Sequence, residues 1–244
     1  MNKVDILAVG VHPDDVELSC SGTLFRHIHQ GKSLGLLDLT LGELGTRGTG
    51  EIRLKEAEHA RQIMGAKFRV NLDLGDGFFE YNKDSIIKII EVLRASQPTI
   101  VLCNALEDRH PDHAKAAKLV SDACFYSGLV KIETIDANGH IQERWRPQQV
   151  FHYIQDRNLA PDFVVDITGY IDQKLESIYA YKSQFNHETT PEFATELTSP
   201  ISGKDFMDFI VAKARTYGRS AGFEMGEGFN YSRTPGIKSL FDLY

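Results

Sequence analysis

The run Ile6-Leu-Ala-Val-Gly-Val11 ends abruptly in His12-Pro13-Asp14-Asp15, with Glu17 close behind. An apolar run of this length, bounded by a proline, reads as a buried strand. One imidazole and two carboxylates at its end are costly to bury unless they are paired or bound to a cation. Pro13 stops the strand and leaves His12 extended, so the polar groups fall at the strand's carboxyl end, where open α/β sheets bind their ligands.

A second apolar run, Thr99-Ile-Val-Leu-Cys-Asn104, is followed across a short polar loop by His110-Pro111-Asp112-His113. If the two runs are neighbouring parallel strands, His12, Asp15 and His113 share one edge of the sheet. Two imidazoles and one carboxylate make a three-ligand catalytic zinc set with one position open. Asp14 is then left beside the metal as a base. Either His-Pro-Asp segment alone also reads as a turn, with Asp15 and Asp112 capping helices and the histidines bonded to backbone. Two of them, each just after an apolar strand, are harder to explain as unrelated turns.

Helical and extended patterns alternate through the first half. Helices are expected over Gly22 to Gly31, Glu51 to Met64, Asp84 to Ala95 and Asp112 to Tyr126, and further strands over Leu34 to Leu41 and Arg69 to Leu74. This alternation predicts an α/β fold, a Rossmann-like, mainly parallel sheet with flanking helices. The length of 244 residues suits one domain covering residues 1–244. The stretch Gly42 to Gly50 holds four glycines and reads as a loop that exposes Arg47. Beyond Leu129, Val130 to Ile135 and His140 to Trp145 resemble a hairpin, and Gln149 to Ile154 a strand. Gly169 to Phe185 and Lys204 to Tyr217 read as helices, Asn186 to Ser202 as a mobile loop at the mouth of a site, and Gly222 to Tyr244 as packed irregular chain.

Composition narrows the function. A net charge of −7 argues against a nucleic-acid partner but permits an anionic small substrate held by a few local arginines. No apolar run reaches membrane-spanning length and the start lacks a signal-peptide pattern, so a cytoplasmic protein is expected. Cys20, Cys103 and Cys124 form no pairing motif and read as small buried residues. The first strand's turn lacks a dinucleotide fingerprint, Gly45 to Gly50 lacks a phosphate loop, and no nucleophile elbow is present.

The strand ending in His12-Pro13-Asp14-Asp15 with Glu17, followed about a hundred residues later by His110-Pro111-Asp112-His113, resembles the LmbE/PIG-L family of zinc-dependent N-deacetylases acting on N-acetylglucosaminyl compounds. The match covers nearly the whole chain. Asp38-Leu-Thr-Leu-Gly-Glu-Leu-Gly-Thr-Arg-Gly-Thr49 and Glu51-Ile-Arg-Leu-Lys-Glu-Ala57 look like the bacillithiol-biosynthesis branch, which removes acetate from N-acetylglucosaminyl malate.

The resemblance assigns His12, Asp15 and His113 to the metal, zinc or another divalent ion such as Fe(2+), and makes Asp14 the general base. His110 then steadies the oxyanion or protonates the leaving amine, and Asp112 pairs with His110 and keeps it charged. Arg53 resembles the family's substrate-contacting arginine, for which an i,i+3 pair with Glu56 is the alternative. Arg47, Arg109 and Arg146 are further substrate-binding candidates, Arg146 because relatives carry an arginine near the base aspartate. Some relatives supply a tyrosine over the zinc from a late loop, where the best local match here is near Phe206, so no catalytic tyrosine is assigned. The resemblance implies a small-molecule amino-sugar conjugate as partner, neither nucleic acid nor membrane, and a homo-oligomer. Rival readings are an amidase of thiol conjugates, a deacetylase of another amino sugar, and a non-catalytic sugar- or nucleotide-binding module whose histidines are structural.

Overall fold

A computed structural model describes residues 1–185, 193 and 197–242. In chain order the elements are β1 (Ile6–Gly10), α1 (Asp15–His29), β2 (Leu34–Asp38), α2 (Gly50–Met64), β3 (Phe68–Asn71), α3 (Lys83–Ser96), β4 (Ile100–Cys103) and α4 (Pro111–Tyr126). Then follow β5 (Gln149–Tyr153), β6 (Phe163–Asp166), α5 (Ile171–Tyr179), α6 (Lys182–Phe185), α7 (Lys204–Ala221) and β7 (Gly226–Tyr231).

The seven strands form one sheet in the order β3-β2-β1-β4-β5-β7-β6. The first five are mutually parallel, with Ile6 opposite Leu34 on one side and Ile100 on the other. β7 runs antiparallel between β5 and β6. The expected α/β fold with a mainly parallel sheet is what the chain adopts. Chain order reverses between β1 and β4, which makes their carboxyl ends the switch point where open sheets form ligand crevices.

β1 is buried along its whole length because helices cover both faces of the sheet. Its side chains alternate: Leu7 and Val9 join a core with α3 and α4, whereas Ile6 and Ala8 join a second core beneath α1. Cys20 packs in the second core, Cys103 and Cys124 in the first. At Gly10 the chain folds over so tightly that a Cβ would lie 2.9 Å from the His12 carbonyl and 3.1 Å from Asp15 Cβ. Only glycine fits the close approach that brings the strand end onto the helix start.

The second half departs from expectation in three places. The hairpin over Val130 to Trp145 reduces to a single bridge between Ile135 and Ile141. Its leading arm is held instead by Arg94 of α3, which donates to the Leu129 and Ile132 carbonyls at 3.1 and 2.7 Å. The helix expected over Gly169 to Phe185 breaks into α5 and α6, and the intervening Tyr181 turns inward to donate its hydroxyl to Glu17 at 3.1 Å. The C-terminal stretch holds a strand, β7, deep in the sheet rather than irregular chain. Its glycines hide the strand pattern, yet packing requires them: a Cβ on Gly226 would sit 2.9 Å from the Gly218 nitrogen, where α7 crosses. No helix among the described residues is long and apolar enough to cross a membrane.

Helix α1 carries a buried ion pair against its middle. Glu227 of β7 accepts from the Gly22 and Thr23 amides at 3.1 and 2.7 Å, while Lys174 of α5 donates to the Glu17 and Leu18 carbonyls and pairs with Glu227 at 2.7 Å. The pair sutures α1, α5 and the sheet beneath the switch point. Lys174→Met strands the buried Glu227 carboxylate and is expected to cost about 3–5 kcal/mol of unfolding free energy. Replacing both residues with methionine should recover much of that loss. Urea denaturation checks this, and equal losses in the single and double variants would count against the ion pair as the source.

Candidate active site

Four strand ends supply the side chains. Beyond β1, the Asp15 amide bonds the His12 carbonyl at 3.3 Å, and Asp15 Oδ2 accepts from the His12 amide at 2.9 Å. This closed turn places Asp14 at φ 115°, a strained value for a residue with a side chain. Neither Asp15 nor Asp112 is the N-cap of its helix. Asp14 occupies that position for α1 without a side-chain cap bond, and His110 occupies it for α4, with Nδ1 accepting from the Asp112 amide at 3.3 Å.

The imidazoles of His12, His110 and His113 cluster, with ring centroids 4.7 to 5.7 Å apart. These three present donor atoms within 4.8 Å of one another, and His12, Asp76 and Asp112 form a second such group. Asp15 lies outside both groups but touches the first, 3.3 Å from His113 Nε2 and 3.7 Å from His12 Nδ1. The structure therefore brings His12, Asp15 and His113 together. Asp15 is further fixed by the Asn104 and Gln155 side-chain amides at 2.9 and 3.0 Å. His113 Nδ1 is 2.5 Å from Asp108, which leaves Nε2 facing inward.

The electrostatics suit a cation. Asp14, Asp15, Asp76, Asp108 and Asp112 are all buried. Burial opposes charge on His12, yet hydrogen bonds to Asp112 and Asp76 and the charge of Asp15 raise its pKa to about 10. His113 likewise rises to about 9, through the Asp15 charge and the Asp108 hydrogen bond acting against burial. Burial also opposes charge on Asp15, but the charge and hydrogen bond of His113 hold it well below the usual carboxylate range. A buried surplus of carboxylates that keeps imidazoles protonated is an environment in which a metal ion can replace the protons. The donor set of imidazoles and carboxylates fits a divalent ion such as zinc.

Asp14 stands apart from these donors. Its Oδ2 lies 2.8 Å from Arg53 Nη2, which also donates to the Pro13 carbonyl. Burial pushes Asp14 up to about 7, while Arg53 pulls in the opposite direction. Glu56, the alternative partner for Arg53, instead accepts from the Ser183 amide and hydroxyl.

Three sequence-based assignments need correction. Arg47 is buried, not exposed: it donates to the Ser183, Phe193 and Leu197 carbonyls at 2.8 to 3.0 Å, and so ties down the segment that returns toward the cavity. Its planar fork of donors suits three carbonyls. Arg146 precedes β5 and so lies at the edge of the sheet opposite the site, where it stacks on Phe125 and donates to that residue's carbonyl at 2.8 Å. Asp112 does not form an ion pair with His110. Its carboxylate accepts from the Gly77 amide at 2.9 Å and faces His12 at 3.6 Å, while burial and the charges of His12 and His113 lower the His110 pKa.

A cavity of about 230 Å³ opens on the cluster. His12, Asp14, Asp15, Arg53, Asp76, His110 and His113 line one side; Leu18, Pro200, Ile201, Phe206, Phe209 and Ile210 form an apolar wall. Arg109 reaches its rim, half-exposed and paired with Asp156. Ser199, Pro200 and Ile201, from the loop expected at the mouth, do border the cavity, whereas residues 186–192 and 194–196 of that loop lie outside the described residues. Phe206 occupies the wall where a loop tyrosine was sought.

Sequence reasoning missed Asp76, Asp108, Asn104 and Gln155. Asp76, 3.0 Å from His12 Nε2, follows β3 in Leu72-Asp-Leu-Gly-Asp-Gly77, so the rule that selected strand-end polar groups reaches it. Asp108 and Gln155 carry no comparable signal, because their contacts depend on loop geometry. Asp108→Asn is expected to weaken zinc affinity about 10- to 100-fold by loosening His113. Competition with a chelator measures this, and unchanged affinity would exclude Asp108 as the residue that orients His113.

The family model for PIG-L, described as GlcNAc-PI de-N-acetylase, matches residues 7–124. Among curated proteins, the chain is 28% identical over 243 residues to diacetylchitobiose deacetylase of Thermococcus kodakarensis, spanning 95% of this chain and 84% of that protein. It is 26% identical over 210 residues to a protein of Bacillus anthracis named probable N-acetyl-alpha-D-glucosaminyl L-malate deacetylase 2, with 78% and 85% covered. Among solved structures, a conserved protein from Thermus thermophilus superposes with a TM-score of 0.83 at 34% identity, covering 97% of this chain and 98% of that one. With the paired His-Pro-Asp segments meeting at the switch point of this sheet, the chain belongs to the PIG-L/LmbE family of deacetylases.

Proposed function

We propose that the protein is a zinc-dependent hydrolase that removes the acetyl group from an N-acetylglucosaminyl conjugate, with N-acetylglucosaminyl L-malate as the favoured substrate. The observation that carries this reading is Asp14: a buried carboxylate held by Arg53 beside, but not within, a His/Asp cluster that faces a small-molecule-sized cavity. The reaction adds water across an amide, with hydroxyl going to the acetyl carbon and a proton to the departing nitrogen. His12, Asp15 and His113 would hold the zinc, which would supply Lewis acidity toward the acetamide carbonyl.

Asp14 accepts the proton of the attacking water and can pass it to the amine. Arg53 fixes the carboxylate for that task and lines the cavity from which substrate approaches. His110 acts in its neutral form. Because Nδ1 accepts from the Asp112 amide, the neutral ring carries its proton on Nε2 and can donate to the developing oxyanion. Asp76 and Asp112 hold His12 from behind. Similarity to a named malate deacetylase and to a diacetylchitobiose deacetylase supports an amino-sugar substrate.

Asp14→Asn tests the base with little conformational disturbance, since asparagine tolerates positive φ well. Zinc content should be retained and kcat should fall about 10²–10⁴-fold. Loss of the metal, or near wild-type turnover with metal bound, would remove Asp14 from this role. Acetate release from N-acetylglucosaminyl malate, N-acetylglucosamine and diacetylchitobiose decides the substrate, and a preference for diacetylchitobiose would overturn the malate assignment.

A further inference from the structure

An acidic aglycone needs a cation in the cavity, and most of the arginines near it are committed. Arg47 is bonded to loop carbonyls, Arg53 is paired with Asp14, and Arg109 lies half-exposed at the rim, paired with Asp156. Lys213 of α7 remains. It lines the cavity at the end of the apolar wall, beside Phe209 and Ile210. Its ammonium lies 5.9 Å from the Phe209 ring centre and 5.8 Å from that of Tyr217.

Among the described residues, the Lys213 ammonium has one hydrogen-bond partner, the Ile154 carbonyl at 3.2 Å. Its other two N–H directions meet no acceptor among those residues. The carboxylates that attract it from a distance are engaged elsewhere: Asp108 with His113 and the Arg157 amide, Asp156 with Arg109, Glu227 with Lys174. Burial, with Lys174 nearby, lowers the Lys213 pKa to about 8, so at neutral pH the amine stays mostly charged, with no direct counter-ion among the described residues. A desolvated cation with free donors on a cavity wall is a site for an anion.

We propose that Lys213 determines specificity by pairing with a carboxylate on the aglycone of the substrate, the part left attached to the sugar when acetate departs. Two free N–H directions match a carboxylate, and the apolar wall leading to Lys213 excludes water from the pair. The inference rests on the deacetylase reading above. It assigns recognition of the acid to α7 rather than to the arginines expected to hold an anionic substrate.

The test compares acetate release from the N-acetylglucosaminyl L-malate conjugate with release from the neutral methyl glycoside, in wild type, Lys213→Met and Lys213→Arg. The anionic-to-neutral ratio of kcat/KM is expected to fall about 10- to 100-fold in Lys213→Met, mainly through KM on the malate conjugate. Lys213→Arg, which keeps the charge, should restore most of it. A ratio unchanged in Lys213→Met overturns the proposal. Thermal melting verifies folding, and Lys213→Gln replaces the methionine variant if that one does not fold. Calorimetric binding of the deacetylated products needs no turnover and separates the two readings. If wild type turns over neither conjugate, the deacetylase reading fails. Lys213 is then decided by whether wild type binds glucosaminyl malate more tightly than methyl glucosaminide and loses that preference in Lys213→Met; absence of such a preference overturns it.

Discussion

Asp14, Asp15, Asp76, Asp108 and Asp112 are buried together at one edge of the sheet, facing three imidazoles and a single guanidinium. Carboxylates are tolerated at this density only when cations balance them, because each would otherwise lose hydration without compensation. The protein meets the constraint locally. Arg53 serves Asp14, protons on His12 and His113 serve the others, and a divalent ion can take the place of those protons. Distance sorts these carboxylates: Asp15, Asp76, Asp108 and Asp112 lie against imidazoles, whereas Asp14 lies against Arg53.

The scaffold beneath this edge is itself polar to an unusual depth. Glu17, one helical turn after the site, is buried against Arg69, which also grips Asp38 of β2 with bonds of 2.6 and 2.8 Å. Tyr181 donates to the same Glu17 oxygen as Arg69, and Lys174 with Glu227 engages the next turn of α1. These contacts fix the angle at which α1 leaves the sheet, and that angle sets where Asp14 and Asp15 point. Such a network is sensitive to loss of its cations, since removing Arg69 or Lys174 leaves a buried carboxylate without its ion-pair partner.

The first half of the fold was legible because its strands and helices bury one face or two and so carry regular periods. β1, β4 and the helices that follow β2, β3 and β4 fall within one or two residues of their expected positions. β7 was not legible. Gly226-Glu-Gly-Phe-Asn-Tyr231 sets its two strand-forming residues, Phe229 and Tyr231, among glycines and polar residues, and its fit between β5 and β6 includes a close approach to α7 at Gly218 that only glycine allows. The break at Tyr181 was hidden for a similar reason, as a distant partner, Glu17, draws the side chain inward.

What the sequence alone determined is the fold class and the meeting of His12, Asp14, Asp15, His110 and His113. Apolar strands that end in polar clusters announce both, since strand direction in a parallel sheet carries every such cluster to the same edge. Only the tertiary structure decided what the arginines and lysines do. A long cationic side chain can reach acceptors in many directions, and its partner is whichever oxygen the surrounding elements leave within range. Arg47 thus became a strap for a returning loop, Arg146 went to the far edge with the start of β5, and Arg53 closed on Asp14. Lys213, unmarked in the sequence, reached the cavity because α7 packs across its wall.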